Sequence, residues 1–211
     1  MQQKPPLNFD HAWFCGHIAV PRETFLRLQQ FHDLLLKWQS RINLISPKTV
    51  DAIWWRHIVD SAQLLQHIPD DTNTLLDIGT GGGFPGLILA TMGATDSVIL
   101  VESDQRKAAF LREALRITET QAELVVGRIE EQIGIKADVI TARACAPLKT
   151  LLEWGTPHMK KNAFCLFLKG ENCTKEIEEA IQSGWRFETE RHTSLTNPHG
   201  VILKIRSVAK E

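Results

Sequence analysis

The apolar positions of this chain change their period once, and the change divides the sequence. Between Pro21 and about Leu44, the residues Phe25, Leu28, Phe31, Leu35, Trp38 and Ile42 recur every three or four positions, which is the spacing of one helix face. Ser46-Pro47 interrupts this pattern, and Val50, Ile53, Trp54, Ile58, Ser61, Leu65 and Ile68 resume it. Residues 1–70 are therefore expected to form a helical cap. Two or three helices bury too little surface to stand alone, so the cap should pack on the rest of the chain. Beyond it, the runs at 74–78, 98–102, 123–126, 138–141 and 164–168 are short, apolar and β-rich. Helical patterns at 84–92, 104–117, 128–133, 148–158 and 175–182 separate or follow them, and such alternation predicts a parallel sheet covered on both faces. Segments 186–194 and 201–205 are joined by Thr196-Asn197-Pro198-His199-Gly200, too brief for a parallel crossover, so an antiparallel hairpin should close the sheet. The expected fold is α/β and Rossmann-like: a mostly parallel seven-stranded sheet over residues 71–211 beneath the helical cap.

Composition narrows this without redirecting it. A length of 211 residues suits one main core with an appendage, and 43% apolar with 23% charged residues excludes extensive disorder. The opening MQQKPPLNFD lacks a basic and then apolar leader, and no stretch approaches ~18 apolar residues. A cytoplasmic protein, expected to be a monomer, fits. A net charge of −1 excludes a basic coat, so a nucleic-acid partner would have to meet a local patch. Cys15, Cys145, Cys165 and Cys173 form no C-x-x-C pair, and the eight histidines show no H-x-x-x-H spacing, so no metal site is expected.

The chemistry gathers at predicted strand ends. Leu75-Leu76-Asp77-Ile78 runs into Gly79-Thr80-Gly81-Gly82-Gly83-Phe84-Pro85-Gly86, a buried strand ending in a glycine-rich turn ahead of a helix. Such turns let backbone N–H groups approach a ligand that a Cβ would exclude. The spacing of Gly81, Gly83 and Gly86 also satisfies the dinucleotide fingerprint, so a nicotinamide-dependent oxidoreductase stays open. Asp77 just before the turn shifts the balance toward a methionine-derived cofactor. Glu102 ends the second strand about 20 residues on, where a carboxylate can accept from ribose hydroxyls. Ile129 and Glu130 would lie beside an adenine ring at the end of the third strand, and Arg143 at the end of the fourth should face the reactive end. Cys145 has no adjacent proline to mark a covalent nucleophile.

Taken together, Asn43-Leu44-Ile45-Ser46, Arg56-His57-Ile58-Val59-Asp60-Ser61, the 77–86 loop, Glu102 to Lys107, Arg128 to Glu131, Arg143 to Leu148 and Leu168-Lys169-Gly170 resemble the bacterial 16S rRNA guanine-N7 methyltransferase family. The resemblance spans residues 43–170, and Arg-His-x-x-Asp-Ser is its most specific part. It implies an S-adenosylmethionine-dependent class I methyltransferase acting on 16S rRNA, within the small ribosomal subunit or an assembly intermediate. It places Gly79, Phe84, Ile129, Glu130 and Arg143 against the cofactor, and the strand-end argument adds Asp77, Gly81 and Glu102. Cys145 and Ile129 depart from the small residues usual at those positions.

Guanine N7 has a free lone pair at neutral pH, so no catalytic base is expected and positioning should dominate. The fourth-strand loop Arg143-Ala144-Cys145-Ala146 lacks the Asn/Asp-Pro-Pro-Tyr/Phe pattern of exocyclic-amine methylation, and the chain has no tyrosine. Arg56, His57, Asp60 and Ser61 are expected to shape the acceptor side, with Asp60, Phe84, Trp54 and Trp55 in reach of a developing positive charge, although both tryptophans suit a core. Arg56, Arg106, Lys107, Arg112, Arg116 and Lys169 are candidate phosphate contacts. A non-catalytic ribosome-assembly module is the remaining alternative.

Overall fold

A computed structural model describes residues 5, 6 and 10–211; most of the opening segment, in which no leader was expected, lies outside them. Seven strands form one sheet in the order β3-β2-β1-β4-β5-β7-β6. Strands β1 (Thr74–Ile78), β2 (Ser97–Glu102), β3 (Glu123–Val126), β4 (Ala137–Arg143) and β5 (Met159–Lys169) run parallel. β7 (Val201–Lys210) inserts antiparallel between β5 and β6 (Trp185–Thr193), which confirms the expected hairpin and lengthens its second strand.

Alternation along each strand sorts side chains to two faces. Leu75, Leu100, Val139 and Leu166 join one core, and Leu76, Val101, Ile140 and Phe167 the other. Before the sheet come α1 (His11–Ile18), α2 (Arg22–Gln39) and the short α3 (Asp60–Ala62); α4 (Gly86–Thr91) and α5 (Gln105–Ile117) follow β1 and β2. The first core takes Phe14, Leu28, Phe31 and Leu35 from the cap together with Leu87 and Phe110, so cap and sheet share one interior. α6 (Leu148–Gly155) and α7 (Cys173–Gln182) cover the opposite face through Leu151, Leu152 and Ile177.

The cap is less regular than its periodicity suggests. α2 stops at Gln39 rather than near Leu44, because the Gln39 carboxamide takes over the pairing of the next turn: Oε1 accepts from Leu44 N (3.0 Å) and Ile45 N (3.1 Å), and Nε2 donates to Ile45 O (2.9 Å). The pattern expected as one helix from Val50 to Ile68 is a 3₁₀ segment (Pro47–Ala52), a π-helical turn (Trp54–Val59), α3 and a second 3₁₀ turn (Leu65–His67). α1 carries no amphipathic signal, since its histidines, Gly16 and apolar residues follow no single face. Of the helix expected at 128–133 only one 3₁₀ turn, Ile129–Glu131, forms, since six residues ending beside Gly134 are too few to nucleate an α-helix. The helix expected from Phe84 begins at Gly86.

Candidate active site at the carboxyl edge of the sheet

The chain leaves β1 for β2 on one side and places β4 on the other, so the ends of β1 and β4 frame the crevice where open α/β sheets bind ligands. A cavity of about 750 Å³ opens there. Gly79 to Gly82, Phe84, Glu102, Ile129, Glu130 and Arg143 line it, as do Arg56, His57, Asp60, Lys107 and Lys169.

The glycine turn is fastened from three directions. Gly79, Gly81 and Gly83 adopt positive φ. Thr80 N donates to Val101 O at 3.0 Å, tying the turn to β2. Glu102 holds it from the front: its Oε2 accepts from Gly81 N at 2.8 Å and its Oε1 from Asp104 N at 2.7 Å. Each carboxylate oxygen keeps a lone pair for a further donor. Asp77 holds it from behind. Its side chain is fully buried and does not line the cavity; Oδ2 accepts from Gly86 N at 2.9 Å and Oδ1 from the Thr141 hydroxyl at 2.7 Å. Burial pushes the Asp77 carboxyl up to about 6 against the hydrogen bonds and Arg143, which favour its charged form. Asp77 is thus corrected from a ligand contact to a support. A side chain at Gly86 would bring Cβ within 2.5 Å of both Asp77 Cβ and Leu100 Cδ2, so only glycine lets α4 approach the sheet this closely.

Arg143 crosses from the sheet to the cap. Its NH2 donates to His57 Nδ1 (2.8 Å), its NH1 to Arg56 O (3.1 Å) and Asp60 Oδ2 (3.4 Å), and the guanidinium lies 4.7 Å over the Phe84 ring. His57 Nε2 lies 2.8 Å from Thr49 Oγ1. Desolvation, then Arg143 and Arg56, lower the His57 pKa to about 3. The imidazole is therefore neutral, with Nδ1 accepting and Nε2–H donating. Asp60 Oδ1 accepts from Gln63 Nε2 (3.0 Å), Ser194 Oγ (3.4 Å) and the Thr196 hydroxyl, joining the hairpin turn to the same network. The Cys145 sulfur faces Ile78 O at 3.4 Å, and desolvation pushes its thiol up to about 11, so it carries no nucleophilic thiolate.

Several expected contacts lie elsewhere or are already paired. Ser61 is fully buried and does not line the cavity. Lys169 is only 7% exposed, paired with Glu176 at 2.5 Å and donating to Ala146 O at 3.1 Å, so its charge is already neutralised. Arg106 stands outside, beside a smaller recess that it shares with Arg41 and Lys107. Arg112 and Arg116 are exposed on α5 away from the cavity. Trp55 is buried, and Trp54 stacks on Phe25 with centroids 4.9 Å apart; neither reaches the cavity. Conversely, Thr49, Ser194, Asn197 and Gly200 line it and were not anticipated, since nothing local marks a hairpin turn as part of a distant site.

A sulfonium nucleoside fits these residues: the backbone of Gly79 to Gly82 lines the cavity, Glu102 offers carboxylate lone pairs and Ile129 an apolar wall. Fold and site together define a class I S-adenosylmethionine-dependent methyltransferase. The O-methyltransferase from Bacillus cereus in complex with SAH shares the fold at TM-score 0.56 and 14% identity, over 84% of this chain and 90% of that one. The ribosomal protein L11 methylase from Lactobacillus delbrueckii subsp. bulgaricus does so at TM-score 0.57 and 16% identity, over 72% and 77%. The family model of rRNA small subunit methyltransferase G (GidB) matches residues 25–205, and the chain belongs to this family. Ribosomal RNA small subunit methyltransferase G from Paramagnetospirillum magneticum is 49% identical over 91% of this chain and 93% of its own. Its counterpart from Gluconobacter oxydans is 49% identical over 89% and 95%. Family and cofactor class set aside the nicotinamide and non-catalytic alternatives.

Proposed function

We propose that this protein transfers a methyl group from S-adenosylmethionine to N7 of a guanine in the decoding region of 16S rRNA, within the small ribosomal subunit or an assembly intermediate. The observation that carries the reading is the single cavity that runs from the glycine turn and Glu102 to the acceptor-side residues Arg56, His57 and Asp60, in a chain of this family. Guanine N7 as the acceptor rests on the resemblance. A monomer acting in the cytoplasm suits this substrate; no helix among the described residues is long and apolar enough to cross a membrane, and no group of metal-binding side chains occurs among them.

When bound, S-adenosylmethionine would supply an activated methyl group whose C–S electron pair returns to sulfur, so the protein's task is alignment. Guanine N7 loses no proton, so the transfer needs no base. His57 is neutral with both nitrogens engaged, and the Cys145 thiol is protonated. Gly79 and Gly81 would bring backbone to the donor and Glu102 would accept from its polar groups, while Arg143 is held where the two halves of the cavity meet. Purified protein is incubated with methyl-labelled S-adenosylmethionine and small subunits that lack the modification, and the RNA is digested. Label in 7-methylguanosine at one 16S site is expected; absence of label despite S-adenosylhomocysteine binding would refute the acceptor assignment.

A further inference from the structure

The hairpin turn between β6 and β7 is far in sequence from the cofactor elements, yet it walls the acceptor side of the cavity through Ser194, Asn197 and Gly200. It is held rigidly. Ser194 and Thr196 donate their hydroxyls to Asp60, Leu195 N donates to Gln63 Oε1 at 2.7 Å, and Gly200 N donates to Asn197 O at 2.9 Å. A side chain at Gly200 would bring Cβ within 2.9 Å of Ser194 Cβ and 3.1 Å of Asn197 Cβ, so the closed turn requires glycine.

Within this turn the Asn197 carboxamide has a fixed orientation. Its Oδ1 accepts from His199 N at 3.2 Å, which leaves the Nδ2 group as what the side chain presents. Most other side-chain donors of this wall are engaged or, like Arg56 Nε, buried. Arg143 gives its N–H groups to His57, Arg56 and Asp60; Arg56 NH1 donates to Thr196 O at 3.1 Å; Thr49 Oγ1 donates to Ser46 O at 2.8 Å. The Ser46 hydroxyl also lines the cavity, but a hydroxyl both donates and accepts and so cannot distinguish a keto oxygen from an amino group. Asn197 Nδ2 only donates.

Guanine presents O6 beside N7 on one edge, both acceptors, whereas adenine places an N6 amino donor beside its N7. An enzyme that methylates N7 must leave that atom free for the methyl group, so on this edge a guanine-selecting contact is a lone donor to O6. We propose that Asn197 is this contact: its Nδ2–H donates to O6 of the acceptor purine, accepting guanine and rejecting adenine, whose amino group would face it donor to donor. The proposal rests on the guanine-N7 reading above.

The test compares Asn197→Ala and Asn197→Asp with the unaltered enzyme in single-turnover methyl transfer to small subunits bearing guanine at the modified position, or adenine from an altered rRNA gene. Aspartate keeps the oxygen that accepts from His199 N–H, so the turn stays closed while donor becomes acceptor. S-adenosylhomocysteine affinity and Tm are expected to be unchanged. The rate constant on guanine should fall about 10- to 100-fold in both variants, and the preference for guanine over adenine should narrow, most in the aspartate variant. Wild-type rates in both variants, or loss on guanine and adenine alike with the preference intact, would overturn the assignment. If the unaltered enzyme leaves guanine-bearing subunits unlabelled, the function reading fails instead.

Discussion

At the level of single side chains, His57 carries no proton on Nδ1, because that atom accepts from Arg143 at 2.8 Å inside a desolvated site. Its folded pKa of about 3 lies below the ordinary 6.5, so its contribution to stability is complete above pH 6.5 and is lost as pH falls toward 3. Asp77 acts in the opposite sense: raised from 3.8 to about 6, it favours the fold below pH 3.8, and that contribution fades as pH rises through 6. The His57 effect is therefore read by comparison with His57→Asn, which keeps an acceptor toward Arg143 but does not titrate. Between pH 7 and 5 the unaltered protein should lose more stability than this variant, by up to about 1.4 kcal/mol per pH unit. Parallel denaturation midpoints across that range would exclude the neutral, accepting imidazole. Glu102→Gln leaves one of the two N–H donors of Gly81 and Asp104 facing an amide N–H, and calorimetry should show S-adenosylhomocysteine binding about 10- to 100-fold weaker. Glu102 and Arg143 were legible in the sequence because strand ends can be located from apolar runs. The partner of His57 was not, because the π-helical turn that aims it at Arg143 leaves no mark in residue spacing.

Among the elements, α4 packs on β1 and β2 at a distance set by Gly86. Gly86→Ala must displace Asp77 or Leu100, both buried, and should cost about 3 kcal/mol in urea unfolding, with cofactor affinity lost as the turn shifts. Gly16 in α1 has nothing within 4 Å of the place a Cβ would occupy, and Gly16→Ala should instead add about 0.5–1 kcal/mol. Equal effects at the two sites would mean that helix propensity, not close approach, governs both. Among the parallel strands, the central ones were readable because burial on both faces demands continuous apolar runs. The 47–67 segment misled because its apolar residues repeat as in a single helix, whereas its backbone alternates between tighter and wider turns to bring Arg56, His57 and Asp60 against the sheet.

For the whole molecule, Asp60 is the point at which cap, sheet and hairpin meet, since Gln63, Arg143, Ser194 and Thr196 all donate to it. Asp60→Ala leaves these donors without their acceptor and should cost about 3 kcal/mol. Hydrogen exchange should show residues 194–200 losing protection while β1 and β2 keep theirs; uniform loss would point to general unfolding. Strand order has a further consequence, for synthesis. The glycine turn, Glu102 and Arg143 lie on β1, β2 and β4, whereas the hairpin part of the wall waits for β7, which follows β5 and β6 in the chain and inserts between them. A nascent chain can therefore gather the elements of a nucleoside pocket before the hairpin that carries Asn197 is in place, so an arrest between β5 and β6 should separate cofactor binding from the contact proposed for the purine.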